Sequence, residues 1–209
     1  MNNKQPITAT FDVDAQKSFT PLMPDELPVP GGDQIVDALN TMALLGSVRI
    51  GSKDAHAANA PWITTDPSLV ATPTGVVEAP LFWPAHCVVG TKGFELLDGL
   101  PAPESYSYFV WKGIENNLHP FGACWHDVSE TRTTGVIEFL RSKGIARVIV
   151  GGLAYDYCVK NTALQLAKAG FEVIIPLEAV RAISQATSDQ ASQELKAAGV
   201  ILVNTVADI

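Results

Sequence analysis

Short apolar segments alternate with longer amphipathic segments along most of this chain. The short segments are rich in aliphatic and β-branched residues, a composition and length that are typical of strands buried in a sheet. The predicted strands are Ile7–Asp14, Ser47–Lys53, Tyr106–Trp111, Arg147–Gly151, Glu172–Ile175 and Val200–Val203.

The longer segments have the spacing of helices with one apolar face. The predicted helices are Asp33–Leu45, Thr133–Lys143, Val159–Ala169 and Asp189–Ala198. A glycine follows each of the last three, where a helix commonly ends. Strands that alternate with helices predict a parallel sheet covered on both faces. We therefore expect an α/β fold, a three-layer sandwich around a mostly parallel six-stranded sheet.

One long segment, Ala55–Phe82, interrupts this alternation with Pro, Thr and Ala and little periodicity. A loop of this length in a compact domain usually carries function or wraps a partner. The chain has 209 residues, with no internal repeat and no low-complexity segment. We predict that residues 1–209 form a single domain with a loop insertion at about 55–82.

Composition excludes several classes of protein. A formal charge of −8 without clusters of Lys or Arg argues against a nucleic-acid partner. No apolar stretch approaches the roughly 18 residues of a membrane span, and Met1–Pro6 lacks the apolar core of a signal peptide. Three scattered cysteines do not suggest a disulfide framework. We expect a cytoplasmic protein with no membrane partner.

Polar residues follow four of the predicted strands. Asp14, Asp54, Lys112 and the stretch Leu153–Cys158 each lie at or just past a strand end. In an open parallel sheet, ligands bind beyond the carboxyl ends of the strands. The sequence therefore predicts that these side chains meet at one edge of the sheet.

Cys158 precedes a predicted helix, where the positive end of the helix dipole is expected to lower the thiol pKa and give a thiolate near neutral pH. Asp14 can act as the base, and Lys112 can hold negative charge on Asp14 or on the thiolate. Taken singly, a cysteine like Cys158 is more often an inert buried thiol, an aspartate like Asp14 a turn or cap residue, and a lysine like Lys112 a solvated amine. At one sheet edge they indicate a cysteine hydrolase.

Five motifs carry a resemblance to the isochorismatase-like cysteine hydrolases. Asp14-Ala15-Gln16-Lys17-Ser18-Phe19 resembles their D-x-Q-x-x-F opening, and Lys53-Asp54-Ala55-His56 resembles their D-x-H element. The run from Trp83 to Gly93 is similar to the W-P-x-H-C-x-x-G-T-x-G segment of the nicotinamidases in that family. Trp111-Lys112-Gly113 resembles the lysine element, and the run from Gly152 to Val159 resembles the G-x-x-x-D-x-C-V nucleophile turn.

The resemblance implies a Rossmann-like α/β fold and amide hydrolysis through a cysteine thioester. The implied catalytic residues are Asp14, Lys112 and Cys158. The implied oxyanion donors are the backbone amides of Ala154 and Cys158, with a cis peptide bond between Leu153 and Ala154. The expected reaction converts nicotinamide to nicotinate and ammonia. Relatives commonly form homo-oligomers, so a dimer or tetramer is expected.

A metal site is predicted from Asp54, His56 and His86. One carboxylate and two imidazoles suit a divalent transition ion, zinc first, with iron or manganese as alternatives. Many nicotinamidases have a further His where this chain has Trp62. The fourth ligand is therefore expected to be Glu78, a water molecule or no group at all.

The resemblance also implies that the metal binds the pyridine nitrogen of the substrate between aromatic rings. Phe19 and Trp83 match those aromatic positions, and Trp62 is expected at the mouth of the same pocket. Two other histidines and two other cysteines are interpreted as structural, solvated or buried groups. These are His119, His126, Cys87 and Cys124.

Two alternative functions stay open. The chain could instead be a member of the same family that acts on a different small amide, carbamoyl or aromatic substrate. Absence of a bound metal would favour this alternative. A catalytically silent binding or oligomer-interface scaffold is disfavoured by the intact Asp, Lys and Cys. A dinucleotide-binding module is discounted because Gly151-Gly152 is not followed by G-x-G-x-x-G.

Overall fold

A parallel sheet forms the centre of the computed structural model, which describes residues 6–209. The prediction that Met1–Pro6 lacks a signal peptide falls almost wholly outside the described residues. The strands are β1 (Thr8–Val13), β2 (Val48–Asp54), β3 (Pro73–Val76), β4 (Ala79–Leu81), β5 (Tyr108–Lys112), β6 (Arg147–Leu153), β7 (Glu172–Pro176), β8 (Val180–Arg181) and β9 (Ile201–Val203).

The sheet follows the order β5-β2-β1-β6-β7-β9, with β8 pairing beside the end of β6. Within residues 6–209, every strand pairing in this sheet is parallel. All six predicted strands are confirmed within a few residues. The prediction of six strands is wrong in number, because β8 makes the sheet seven-stranded. With only two residues, Val180 and Arg181, β8 is too short to produce an alternating pattern.

Helices cover both faces of the sheet, as predicted. They are α1 (Val36–Ala43), α2 (Val136–Ser142), α3 (Lys160–Lys168) and α4 (Gln185–Ala197). Helix α4 begins earlier than the predicted Asp189 because the Ser184 hydroxyl caps it, accepting from the Thr187 amide at 3.2 Å.

Two apolar clusters show how the layers pack. Leu39 and Met42 of α1 pack with Ile149 of β6 on one face. On the other face, the strands of the central sheet pack against α2, α3 and α4, with Leu140 and Leu166 fully buried. The three-layer α/β architecture is therefore confirmed. None of the helices in residues 6–209 is long and apolar enough to cross a bilayer.

The irregular segment predicted at Ala55–Phe82 contains short elements of its own. A 3-10 turn at Pro67–Leu69 leads into the antiparallel hairpin β3–β4. Trp62 and Ala79 from this segment are buried together with Trp83, which holds the segment against the body of the protein.

Candidate active site and metal centre

The order in which the chain adds strands to the sheet reverses between β1 and β6. From β1 the chain passes outward to β2 and β5, and then returns to β6 on the opposite side of β1. Ligands in open α/β sheets bind where the strand order reverses in this way. The polar strand-end residues predicted from the sequence do meet at this point.

Lys112 is the centre of the polar cluster at the end of the sheet. Its Nζ lies 3.1 Å from Asp14 Oδ2 and 2.8 Å from Asp54 Oδ1. The same ammonium donates to the carbonyl of Pro120 at 3.0 Å and lies 3.7 Å from Cys158 Sγ. Lys112 is fully buried. Burial acts to lower the pKa of Lys112, but the two carboxylates outweigh it and hold that pKa well above its usual range.

Asp14 follows β1 with a positive φ of 45° and is fully buried. The Ser52 hydroxyl donates to Asp14 Oδ1 at 2.6 Å and accepts from the Asp14 amide at 3.2 Å. Burial raises the pKa of Asp14, while Lys112 and Ser52 oppose the rise. Ser52 was not predicted; its only signal in the sequence is a polar residue two positions before Asp54 on β2.

Cys158 lies in a π-helical turn, Tyr155–Val159, that leads into α3. Its Sγ and a carboxylate oxygen of Asp14 are within 4.8 Å of each other. Burial raises the pKa of the Cys158 thiol well above its usual range, although Lys112 opposes the rise. The expectation of a dipole-stabilised thiolate near neutral pH is therefore wrong for this buried site, where desolvation dominates.

The turn that carries Cys158 follows a cis peptide bond and is held by the side chain of Asp156. The peptide bond between Leu153 and Ala154 is cis, as predicted. The Asp156 carboxylate accepts from the amides of Ile183 and Ser184, at 3.1 Å and 3.4 Å, and so joins the turn to the start of α4. This role of Asp156 was not predicted from the sequence.

Four buried side chains converge next to Lys112 with metal-binding atoms within 4.8 Å of one another. They are Asp54, His56, His86 and His119. The interpretation of His119 as a structural or solvated group without a partner is corrected, because it is buried and faces His86. Since it lies far along the chain from the D-x-H element, no local pattern points to it.

The first two histidines are oriented by backbone carbonyls. His86 Nδ1 lies 2.7 Å from the Pro84 carbonyl and His56 Nδ1 lies 3.3 Å from the Gly113 carbonyl. Because a carbonyl oxygen can only accept, the shorter contact places a proton on His86 Nδ1 and leaves the His86 Nε2 lone pair free. The Nε2 atoms of His86 and His56 lie 3.8 Å and 3.1 Å from oxygens of Asp54.

The electrostatics of this group fit a bound cation. Burial lowers the pKa of His86 to about 4, so its imidazole is neutral. Burial acts to raise the pKa of Asp54, but His56 and Lys112 hold it well below its usual range, so the carboxylate is ionised. Asp54 Oδ2 and His56 Nε2 are buried without hydrogen-bond partners within residues 6–209. A divalent ion would satisfy both atoms.

Glu78 and Trp62 do not take the places expected for them. The Glu78 carboxylate accepts from the amide of Val128 at 2.7 Å and lies outside the metal-binding group. Trp62 packs edge-on against His56 and His119, with ring centroids 4.6 Å and 4.3 Å away. It therefore lies behind the imidazoles and does not line the pocket mouth.

A small pocket joins the thiol to the metal-binding group. Its cavity volume is only about 20 Å³, so the pocket is narrow. Phe19 and Trp83 line it as expected, and Tyr157 and Phe121 add two rings that were not predicted. The remaining lining residues are Leu27, Asp54, His86, His119, Ala154, Cys158 and Ile183. The aromatic and apolar lining suits a small aromatic ligand.

Comparison with known proteins gives consistent matches. The family model described as the isochorismatase domain matches residues 8–207. A nicotinamidase of Acinetobacter baylyi is 32% identical over 197 residues, which cover 92% of this chain and 90% of that protein.

Two solved structures share the fold. The nicotinamidase pyrazinamidase of Acinetobacter baumanii has a TM-score of 0.86 and 27% identity, covering 98% of this chain and 99% of its own. The Pyrococcus horikoshii pyrazinamidase in complex with zinc has a TM-score of 0.73 and 29% identity, covering 95% of this chain and 99% of its own.

Proposed function

The chain belongs to the isochorismatase family, and we propose that it is an amidohydrolase that converts nicotinamide to nicotinate and ammonia. One observation carries this proposal: a thiol, a carboxylate and an ammonium meet at the end of a pocket whose other side holds a metal-binding group. The similarity to nicotinamidases supports the choice of substrate.

In the first half of the reaction, Asp14 takes the proton of the Cys158 thiol as sulfur attacks the amide carbon. The S–C bond forms, and the carbonyl oxygen becomes an oxyanion that the amides of Ala154 and Cys158 stabilise. Asp14 then returns the proton to the leaving nitrogen. The C–N bond breaks, and ammonia departs from a thioester on Cys158.

In the second half, Asp14 takes a proton from water as the water oxygen attacks the thioester. The C–S bond breaks, the sulfur recovers its proton from Asp14, and the carboxylic acid loses its own proton to water as it leaves, which gives nicotinate. Lys112 stays protonated throughout, because its charge compensates whichever of Asp14 and Cys158 is negative. Its raised pKa supports this role.

Recognition of the ring rests on the pocket walls and the metal-binding group. Phe19 and Trp83 pack against the ring faces. Asp54, His56 and His86 hold a divalent ion, which the match to a zinc-bound relative supports. When bound, that ion supplies a Lewis acid for a pyridine nitrogen. Such an anchor distinguishes nicotinamide from benzamide, which has no ring nitrogen.

Ammonia release from nicotinamide by the purified protein tests the proposal. We expect release by the wild type and its loss in Cys158→Ala, with Cys124→Ala as a control because that thiol is buried away from the pocket. Benzamide should react far more slowly. Ammonia from other amides but not from nicotinamide would reassign the substrate. No ammonia from any amide would overturn the hydrolase assignment.

A further inference from the structure

His119 is held in place by contacts that do not involve the catalytic thiol. It lies in the loop between β5 and α2 and is 2% exposed. Its amide donates to the carbonyl of Glu78 at 2.7 Å. Its ring stacks on His56, with centroids 4.8 Å apart and planes 17° apart, and Trp62 packs against its edge. The imidazole therefore has little freedom to turn away from its neighbours.

The nitrogen of His119 that faces the other metal-binding side chains is Nε2, which lies 3.4 Å from His86 Nε2. Because His86 Nδ1 donates a hydrogen bond to the Pro84 carbonyl, the His86 Nε2 presents a lone pair. Two ligand nitrogens each about 2.0–2.1 Å from one tetrahedral zinc are roughly 3.3–3.4 Å apart. The observed separation matches that of two nitrogens sharing one ion.

We propose that His119 is the fourth protein ligand of the metal, supplied through Nε2 by the β5–α2 loop. The inference rests on the metal site of the proposed function and gives one carboxylate and three imidazoles, so that the pyridine nitrogen would bind as a fifth ligand. With four protein ligands, the ion joins the end of β2, the segment around His86 and the β5–α2 loop. The loop that carries Phe121 into the pocket is thereby fixed by the metal.

A different arrangement uses the same two histidines without a shared ion. His119 Nε2 could carry a proton and donate it to His86 Nε2, which would make His119 a supporting residue only. In that case the ion would have three protein ligands, and removing His119 would leave its coordination unchanged.

Titration of the purified full-length chain with Co²⁺ and Zn²⁺ separates these arrangements. The variants are His119→Ala and His119→Gln, which keeps more of the side-chain volume, with His126→Ala as a control on the same loop. Chelator competition gives the affinity, and the visible absorption of Co²⁺ reports its coordination number and geometry. Far-UV circular dichroism checks that each variant is folded.

We expect both His119 variants to bind metal at least about tenfold more weakly, since even outer-shell substitutions cost about 10–100-fold. Their Co²⁺ absorption should also fall, because a tetrahedral site absorbs more strongly than one opened to water. Wild-type affinity and spectrum in folded His119→Gln would overturn the inference. Ammonia assays test the proposed function separately. If the His119 variants lost metal affinity while the wild type released no ammonia from nicotinamide, His119 would remain a ligand and the proposed function would be refuted.

Discussion

Lys112 brings a positive charge into a fully buried position because Asp14 and Asp54 both contact it. Replacing it with Met leaves two carboxylates close together without a counter-charge. Breaking a buried ion pair costs about 3–5 kcal/mol. We therefore expect Lys112→Met to lose about that much free energy of unfolding and all amidase activity.

Urea unfolding of metal-free protein measures this loss. The matched control is Lys168→Met, because Lys168 is 75% exposed and pairs with Glu130 at the surface. Exposed pairs contribute about 0–1 kcal/mol. Equal stability of the two variants would contradict the ionic role of Lys112.

Burial and Lys112 dominate the pKa of Asp14, and the Ser52 hydroxyl adds a smaller contribution through its hydrogen bond. Asp14 must be ionised to act as a base, so activity falls as the pH drops through its pKa. The Ser52 hydrogen bond lowers that pKa, and its loss raises it. Hydrogen bonds to charged groups contribute about 1.5–3 kcal/mol, equivalent to roughly 1–2 pH units. Ser52→Ala should move the acid limb of the kcat/KM profile to higher pH by about that amount.

The control for this profile is Ser47→Ala. Ser47 is exposed just before β2, and its hydroxyl donates to the Thr8 carbonyl. This variant should keep the wild-type profile. If the Ser52→Ala profile lost amplitude without moving along the pH axis, Ser52 would be a packing residue only.

Single residues show where sequence reasoning worked and where it stopped. Asp14, Lys112 and Cys158 could be found because each follows a predicted strand, and parallel strands bring their carboxyl ends together. His119 could not, since it lies in an irregular loop and reaches the group only through tertiary packing. The direction of the Cys158 pKa shift depends on burial, which the sequence does not give.

At the scale of the elements, the strand pair β1–β2 carries an unusual buried charge. Asp12 on β1 is 2% exposed. Its Oδ2 accepts from Arg49 Nε and from the Tyr106 hydroxyl, both at 2.8 Å. Burial raises the pKa of Asp12, while Arg49 and Tyr106 oppose the rise. The acid that looks out of place in the strand sequence is thus paired across the sheet.

Arg49→Met should destabilise the fold by roughly 3 kcal/mol at neutral pH, the lower end of the cost of a broken buried pair, because the carboxyl can take up a proton. Because Arg49 lowers the folded-state pKa of Asp12, its loss raises that pKa further, and protonation then stabilises the folded variant more than the folded wild type. The deficit should therefore shrink as the pH falls through that pKa. Urea unfolding at several pH values measures it.

Arg147→Met provides the comparison, since Arg147 pairs with Glu172 at 2.7 Å between side chains that are 21% and 41% exposed. It should lose no more than about 1 kcal/mol. A deficit in Arg49→Met that stayed constant or grew toward acid pH would contradict the account of Asp12.

Element prediction succeeded for apolar or amphipathic segments and failed for the rest. The four helices and six strands follow from their patterns, but β8 has only two residues, and both strands of the β3–β4 hairpin contain Pro. The hairpin carries Glu78, so its proximity to the β5–α2 loop through the His119 amide was also hidden.

For the whole molecule, a bound metal acts as a cross-link between segments that are distant in sequence. A ligand at 100 times its Kd stabilises the folded state by about 2.7 kcal/mol. For a chain of this size that corresponds to roughly 5–10 °C in Tm. Chelation should lower the Tm by about this much, and Zn²⁺ added back should restore it.

His86→Ala removes one ligand and should show a much smaller metal-dependent change in Tm. Differential scanning calorimetry of the wild type and this variant measures both. An identical shift in the two proteins would place the stabilising ion elsewhere.

The most direct test of the mechanism is peptide mass spectrometry of protein quenched during its first turnover with nicotinamide. The account predicts a nicotinoyl group on the peptide that contains Cys158 and none on the peptides of Cys87 or Cys124. A nicotinoyl group on another residue, or nicotinate formed at the wild-type rate by Cys158→Ala, would contradict it.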